Sequence, residues 1–294
     1  MRISTQLMMD RSLGRLQDRL SSVERTQSRL ATGKQFLVSS ENVGGMNTAL
    51  ALRSERAGVA QANKNAEDGR TRVNLADSRL QQILTAMRRA RDLAIRGSST
   101  LQPAERDAIA KELSSIQEQV VALANSDYLG QGLFSGFSTN DAVTKVGSTW
   151  TYGGDSGAVN RRISESEVVQ VNVTGDEIFG FNASDDMFTM LDQLITDVQA
   201  GNTTAVSNTL DSIDTATSRI DLGLSRLGAV GNRIETTIGR NLAVDESLRQ
   251  QLSSTEDVDL TEAILELKTQ EVALQATLGA VGRAIQPSLV DFLQ

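Results

Sequence analysis

The feature that most constrains this chain is a run of alternating three- and four-residue steps. Leu210, Ile213, Thr217, Ile220, Leu224, Leu227, Gly231, Ile234, Ile238, Asn241, Asp245, Leu248 and Leu252 keep it without a slip. This is the spacing of a helix that buries a narrow seam against partner helices. Thr217, Asn241 and Asp245 lower the stability of such a seam and fix its register. Two prolines in 294 residues leave long helices uninterrupted.

Shorter seams repeat the pattern elsewhere. Near the start it runs through Met9, Leu13, Leu16, Leu20, Val23, Gln27 and Leu30, and Gly33 reads as the stop. A pattern from Met46 to Arg96 reads as one helix, broken by Gly97-Ser98-Ser99. Pro103 sits at a first helical position, ahead of Glu105 and Asp107, and the seam Ile109, Leu113, Ile116, Val120, Leu123 follows. Met187, Met190, Leu191, Leu194 and Val198 make a short amphipathic helix ending near Gly201-Asn202. A polar break at Ser253–Asp257 precedes Asp259-Leu260-Thr261-Glu262, which has capping-box spacing. The last seam is Ile264, Leu267, Glu271, Leu274, Leu278, Val281 and Ile285, ended by Pro287. A fully buried seam side chain gains about 1.5–3 kcal/mol, and neither terminal helix can realise that gain by itself.

The middle of the chain differs. Tyr128, Phe134, Phe137, Trp150, Tyr152, Phe179, Phe181 and Phe188 are most of its aromatic residues. Thr149–Tyr152 reads as a strand followed by a Gly153-Gly154 turn, and Val169, Val171 and Val173 alternate as a half-buried strand. The expected fold is mainly α: a long antiparallel, coiled-coil-like bundle of N- and C-terminal arms with a small inserted β-rich domain. The aromatics are read as the core of that insert. The expected segments are an N-terminal assembly helix and loop over 1–40 and a helical arm over 41–129. The β-rich domain takes 130–182, a second arm 183–254 and a C-terminal assembly helix 255–294.

The chain has neither histidine nor cysteine. That removes imidazole bases and ligands, thiolate metal sites, thiol nucleophiles and disulfides. No phosphate loop or calcium-loop spacing is present, and Gly132-Leu133-Phe134-Ser135-Gly136 is no nucleophile elbow. No enzyme, cofactor or metal is expected. Residues 1–126 hold 19 Lys/Arg and 13 Asp/Glu, and the rest hold 10 and 24, giving +6 and −14 for the net of −8. The acidic whole argues against nucleic acid, although Arg88, Arg89, Arg91 and Arg96 cluster. A basic first half beside an acidic last half, within or between subunits, is the expected use of the asymmetry. Arg219, Arg226, Arg233 and Arg240 form a ridge that is either solvated or paired with acidic faces of neighbouring subunits. No apolar run approaches the ~18 residues of a membrane span, and Met1–Gln6 has no apolar signal region, so neither membrane insertion nor a cleaved signal is expected.

Several stretches resemble the flagellin superfamily. They are Arg29-Leu30-Ala31-Thr32-Gly33-Lys34, Asn63-Lys64-Asn65-Ala66-Glu67-Asp68-Gly69 and Arg91-Asp92-Leu93-Ala94. Within it, the chain is similar to the hook–filament junction proteins in Met1–Thr5, Ala124-Asn125, Leu133–Gly136, Tyr152–Asp155 and Asn172–Gly175. Asp257–Leu260, Gln275-Ala276 and Ser288–Leu293 continue that similarity at the C-terminus. Glu41-Asn42-Val43 stands where those proteins usually carry paired aspartate and proline, and Gly44-Gly45 is closer to filament flagellins.

The resemblance implies a structural ring between the first hook-associated protein and the flagellin filament. It also implies export through the flagellar type III channel, with a chaperone on the last helix. Filament flagellin is the alternative, followed by an unrelated coiled-coil module. The expected assembly surface sets Met9, Leu13, Leu16, Leu20 and Val23 against Leu260, Ile264, Leu267, Leu274, Leu278, Val281 and Ile285, with termini that order on assembly.

Overall fold

A computed structural model describes residues 2–181 and 186–285, with the side chains of 2–6, 8, 9 and 283–285 left out of the description. Its elements in order are α1 (Arg2–Thr32), α2 (Val43–Gly97), α3 (Pro103–Ala124), β1 (Asp127–Tyr128) and β2 (Gln131–Gly132). Next come β3 (Val143–Val146), β4 (Thr149–Tyr152), β5 (Asn160–Arg162), β6 (Val168–Gln170) and α4 (Gly175–Phe179). Then α5 (Met187–Ala200), α6 (Thr203–Glu256) and α7 (Leu260–Ile285) complete the chain. The chain divides into two compact units: residues 1–57 with 245–294, and residues 58–244.

Local chemistry sets the helix ends. Gly33, at φ +69°, closes α1 in the left-handed region open to glycine. The Asn42 Oδ1 accepts from the Gly45 N–H at 2.8 Å and caps α2. The Gln102 N–H donates to Glu105 at 3.0 Å ahead of Pro103, the first residue of α3. Asp186 caps α5 by accepting from the N–H groups of Phe188 and Thr189. Asp259 does the same for α7 through Thr261 and Glu262, the acceptor half of the expected capping box. The expected polar break is shorter than its sequence suggests, because α6 runs through Glu256 before the chain turns.

The unit of residues 58–244 holds one continuous apolar core. Leu80, Ile83, Met87 and Leu93 of α2 and Leu113 and Val120 of α3 are fully buried in it. Leu191 and Leu194 of α5, and Ile213, Ile220, Leu227 and Ile234 of α6, join them. All thirteen positions of the long α6 seam are buried or half-buried. The strands form three antiparallel hairpins, β1–β2, β3–β4 and β5–β6. They have no separate core. Phe188 of α5 packs at 5.3 Å from Trp150 and 5.6 Å from Phe179, which meets Phe134 edge-on at 5.6 Å. The aromatics therefore tie the insert to the helices.

Two local expectations are corrected: the strand read through Val169, Val171 and Val173 is only Val168–Gln170, with Val171 and Val173 buried beyond it, and the turn read at Gly153-Gly154 lies elsewhere. The hairpin turn lies at Gly147-Ser148, between β3 and β4, where Gly147 has φ +66°. Gly153-Gly154 follows β4 and is tightly enclosed: a Cβ on Gly154 would lie 2.4 Å from the Tyr152 hydroxyl. The β1–β2 turn is built on Leu129 (φ 54°) and Gly130 (φ 76°), so a leucine occupies a left-handed position while 84% exposed.

Candidate assembly surface

In the unit of residues 1–57 and 245–294, α1 and α7 pack against each other. The inward face of α1 carries half-buried Leu16 and Leu30 with buried Val23 and Thr26. That of α7 carries Ala263, Leu267, Gln270, Leu274, Thr277 and Val281, again at steps of four and three. The structure thus places Leu16, Val23, Leu267, Leu274 and Val281 in one seam. It leaves Leu13, Leu20, Leu260, Ile264 and Leu278 between 46% and 55% exposed. Met9 and Ile285 lie outside the described side chains.

The α7 seam is offset from the expected one. Ala263, Gln270 and Thr277 face α1 where Ile264, Glu271 and Leu278 were expected. Ala263, Gln270 and Thr277 share the inward face with Leu267, Leu274 and Val281, and Ile264 and Leu278 fall on the next strip of the helix. The pair is apolar over a wider arc than its own contact covers. Leu265 and Val272 are also exposed, at 69% and 65%.

A polar joint anchors this pair, and the sequence reading missed it. Glu256 is 4% exposed at the end of α6. Its carboxylate accepts from Lys34 Nζ at 2.6 Å and from Arg53, and its backbone carbonyl accepts from the Gln35 N–H at 2.7 Å. Lys34 also donates to Asp257 at 2.7 Å, and the Val258 N–H donates to the Gly33 carbonyl at 3.0 Å. Those partners hold the Lys34 pKa above and the Asp257 pKa below their ordinary values. The sequence places Glu256 in the polar break of Ser253–Asp257. It is instead the buried anion that ties the α1–α2 loop to the α6–α7 turn. The signal available was Lys34 within the superfamily-like stretch.

The charge asymmetry is used within the chain. Lys34 and Arg53 meet Glu256, Arg56 meets Asp245 at 2.9 Å, and Arg91 meets Asp214 at 2.6 Å. Arg89 pairs with Glu112 at 2.6 Å, so two members of the basic cluster are matched. Three arginines of the ridge keep more than half of their side chains exposed and pair with acidic residues of the same chain. Arg226 forms a two-pronged pair with Glu177 at 2.8 and 2.9 Å, and Arg233 and Arg240 both turn to Glu167. Asn241 in the seam donates to the Ile163 carbonyl at 2.8 Å, which gives that polar position its partner.

Among the described residues no group of His, Cys, Asp or Glu could hold a metal ion, and no helix is long and apolar enough to cross a membrane. The α1–α7 arrangement presents a helix pair with unburied leucines, tied by the ion pairs of Glu256 with Lys34 and Arg53.

Comparison with known proteins gives this arrangement a family. Residues 3–139 match the bacterial flagellin N-terminal helical region, and residues 210–293 match the bacterial flagellin C-terminal helical region. The chain is 26% identical over 301 residues to flagellar hook-associated protein 3 of Salmonella typhimurium, covering 94% of this chain and 95% of that one. It is 22% identical over 301 residues to a flagellin of Bacillus subtilis, covering 97% of each. The fold is shared with Bacillus cereus FlgL (TM-score 0.61, 23% identity, 69% of this chain and 99% of that one). It is shared also with the flagellar junction protein FlgL of Legionella pneumophila (TM-score 0.59, 14% identity, 69% and 99%). With both flagellin helical regions in place around a hairpin-bearing middle, the chain belongs to the flagellin superfamily and is similar within it to flagellar hook-associated protein 3.

Proposed function

We propose that this chain is a structural subunit of the bacterial flagellum that joins hook to filament, and that the α1–α7 pair is its assembly surface. The observation that carries the surface is the exposure of Leu13, Leu20, Leu260, Ile264 and Leu278 on a helix pair already packed by other residues. Leucines left out of a chain's own seam gain by covering with another helix. The similarity to hook-associated protein 3 supports the junction, with a hook-associated protein on one side and flagellin on the other. No catalytic step belongs to this reading, and a chain without imidazole or thiol suits it. Segments 1–40 and 255–294 are the assembly segments of this proposal.

We also infer export without a cleaved signal, with a chaperone covering α7 before assembly. Leu274→Asp and Leu278→Asp are expected to abolish chaperone capture as well as assembly. Retention of both by Leu278→Asp would remove α7 from the partner surface.

Localisation tests the function. An epitope inserted at Gly147-Ser148, an exposed turn with open space around Gly147, is labelled with gold on intact flagella. One spot where hook meets filament is expected. Label along the filament would make the chain a flagellin, and absence from flagella in motile cells would overturn the reading.

A further inference from the structure

Within the unit of residues 58–244, α2 and α6 run antiparallel. Gly69 of α2 stands against Ile234 of α6, Val73 against Gly231 and Leu80 against Gly223, and Arg91 pairs with Asp214. Both faces of this contact repeat themselves. Buried Val73, Leu80, Met87 and Ala94 of α2 are seven residues apart, and so are buried Ile213, Ile220, Leu227 and Ile234 of α6. A slip of seven residues, ~10.5 Å of helix, would again set apolar against apolar. The arginine ridge of α6 has the same period, and Glu167 already faces both Arg233 and Arg240. A slipped α6 would present it with another arginine.

The β5–β6 hairpin, which lies across both helices, makes contacts that do not repeat. At its tip the Ile163 N–H donates to the Glu167 carbonyl at 2.9 Å. The carbonyl of Ile163, a fully buried residue, accepts from Asn241 Nδ2 of α6 at 2.8 Å. Seven residues to either side of Asn241 stand Ile234 and Leu248, whose side chains have no donor. At its other end the hairpin is tied to α2. Arg161 Nε donates to Asp68 at 2.7 Å, and the Tyr128 hydroxyl donates to the same carboxylate at 3.0 Å. Seven residues to either side of Asp68 stand Gln61 and Leu75, neither of them a carboxylate.

We infer that the β5–β6 hairpin is a register key, which admits one of the α2–α6 registers that the apolar seam by itself allows. The arginines supply adhesion, and Asn241 and Asp68 supply the discrimination. A slipped apolar seam can repack, whereas a buried carbonyl stripped of its donor has no water to replace it. An asparagine in a coiled-coil seam works in this way, lowering stability while excluding slipped pairings. Here the asparagine meets a hairpin carbonyl, and the hairpin carries the register across to α2.

The chain has no native cysteine, so engineered pairs can read the register. Val73 Cγ1 lies 3.7 Å from the place that a Cβ on Gly231 would take, within disulfide reach. Val73→Cys with Gly231→Cys therefore reports the native register. Val73→Cys with Leu224→Cys, or with Ile238→Cys, reports a slip of seven residues in either direction. The full-length chain is refolded from urea in a glutathione redox buffer, and the disulfide-bonded fraction is read on a non-reducing gel. With the key intact, only the native-register pair is expected to close. Asn241→Leu is expected to raise the slipped disulfides roughly tenfold or more. Glu167→Gln is expected to leave the slipped pairs open, because its arginine partners do not discriminate between registers.

Slipped pairs that stay open in Asn241→Leu would overturn the inference. So would slipped pairs that close in Glu167→Gln, which would give the discrimination to the ion pairs. Where Asn241→Leu yields no helical protein by circular dichroism, Asp68→Ala tests the key from its α2 end. Closure of the slipped pairs is expected there too, and their staying open would overturn the inference.

Discussion

In the unit of residues 58–244, Phe134, Phe179 and Phe188 are completely enclosed, together with Leu80, Leu113 and Leu194. In the unit of residues 1–57 and 245–294, Leu13, Leu20 and Leu278 are about half exposed, and the buried apolar set is short: Val23, Phe36, Ala49, Leu52, Leu248, Leu252 and Ala263. The first unit closes its own core across helices and hairpins. The second has two layers of helix at its α1–α7 pair and, among the described residues, nothing that covers the outer strip. The same residue type thus serves stability in one region and association in the other, and the number of elements packed around it decides which.

Four predictions test that contrast, in order of their expected effect on the stability of the isolated subunit. Phe188→Ala should cost the most, about 3–5 kcal/mol in urea unfolding, because the ring touches Trp150, Phe179 and Phe181 and leaves a cavity among them. A loss under ~1 kcal/mol would mean that the hairpins are not joined to the helical core through it.

Asp192→Ala follows, at about 1–3 kcal/mol. Its carboxylate accepts from Lys145 Nζ at 2.6 Å, Trp150 Nε1 at 2.8 Å and Gln117 Nε2 at 2.9 Å. Burial pushes the Asp192 pKa up, but these three donors together hold it below its ordinary value. A depressed carboxylate contributes stability above its unfolded pKa of ~3.9 and loses it as pH falls through the lower folded value. Tyr152 acts at the other end of the scale. Burial drives its pKa up to about 12, and its hydroxyl donates to the Phe134 carbonyl at 2.7 Å. That contribution is complete below the unfolded value of ~10 and disappears as pH rises toward the folded one. Unfolding measured across pH should show a plateau with an acid fall that Asp192→Ala blunts and an alkaline fall that Tyr152→Phe blunts. Profiles unchanged by either substitution would contradict these assignments.

Leu129→Gly should stabilise by about 1 kcal/mol, since glycine removes the cost of a left-handed backbone and the leucine side chain is exposed. A lower melting temperature would show that the leucine supports the hairpin. Leu278→Asp should change subunit stability least, within about 0.5 kcal/mol, because the residue lies outside the seam. A loss as large as that of a core residue would place Leu278 in the subunit's own packing and break the contrast between the two units.

The long seam from Leu210 to Leu252 was legible because a helix buried along one strip repeats its apolar positions whatever it packs against. The helix ends at Gly33, Pro103 and Gly201 were legible for a similarly local reason, since each depends on the conformational limits of one residue. The α7 seam was not, because apolar residues occupy two adjacent strips there and only the partner's surface selects Ala263 and Thr277 over Ile264 and Leu278. Pairing of Glu256 with Lys34 and Arg53 spans more than two hundred residues of chain, and nothing local marks it. The arginines of α6 were visible as a ridge, but their partners, Glu177 and Glu167, lie in the hairpin-bearing middle and are brought there by tertiary structure. Gly153-Gly154 has the composition of a turn. Its glycines answer instead to close contacts with Asp141 and Tyr152.

The central claim is that the exposed leucines of α1 and α7 serve assembly and not the subunit's own fold. The most direct measurement replaces the chain in flagellated cells by the Leu13→Asp, Leu278→Asp double variant and counts filaments by electron microscopy, while melting the protein recovered from the medium. The account predicts an exported subunit with an unchanged melting transition and hooks that carry no filament. Filaments attached in normal number to hooks of cells making this variant would contradict it.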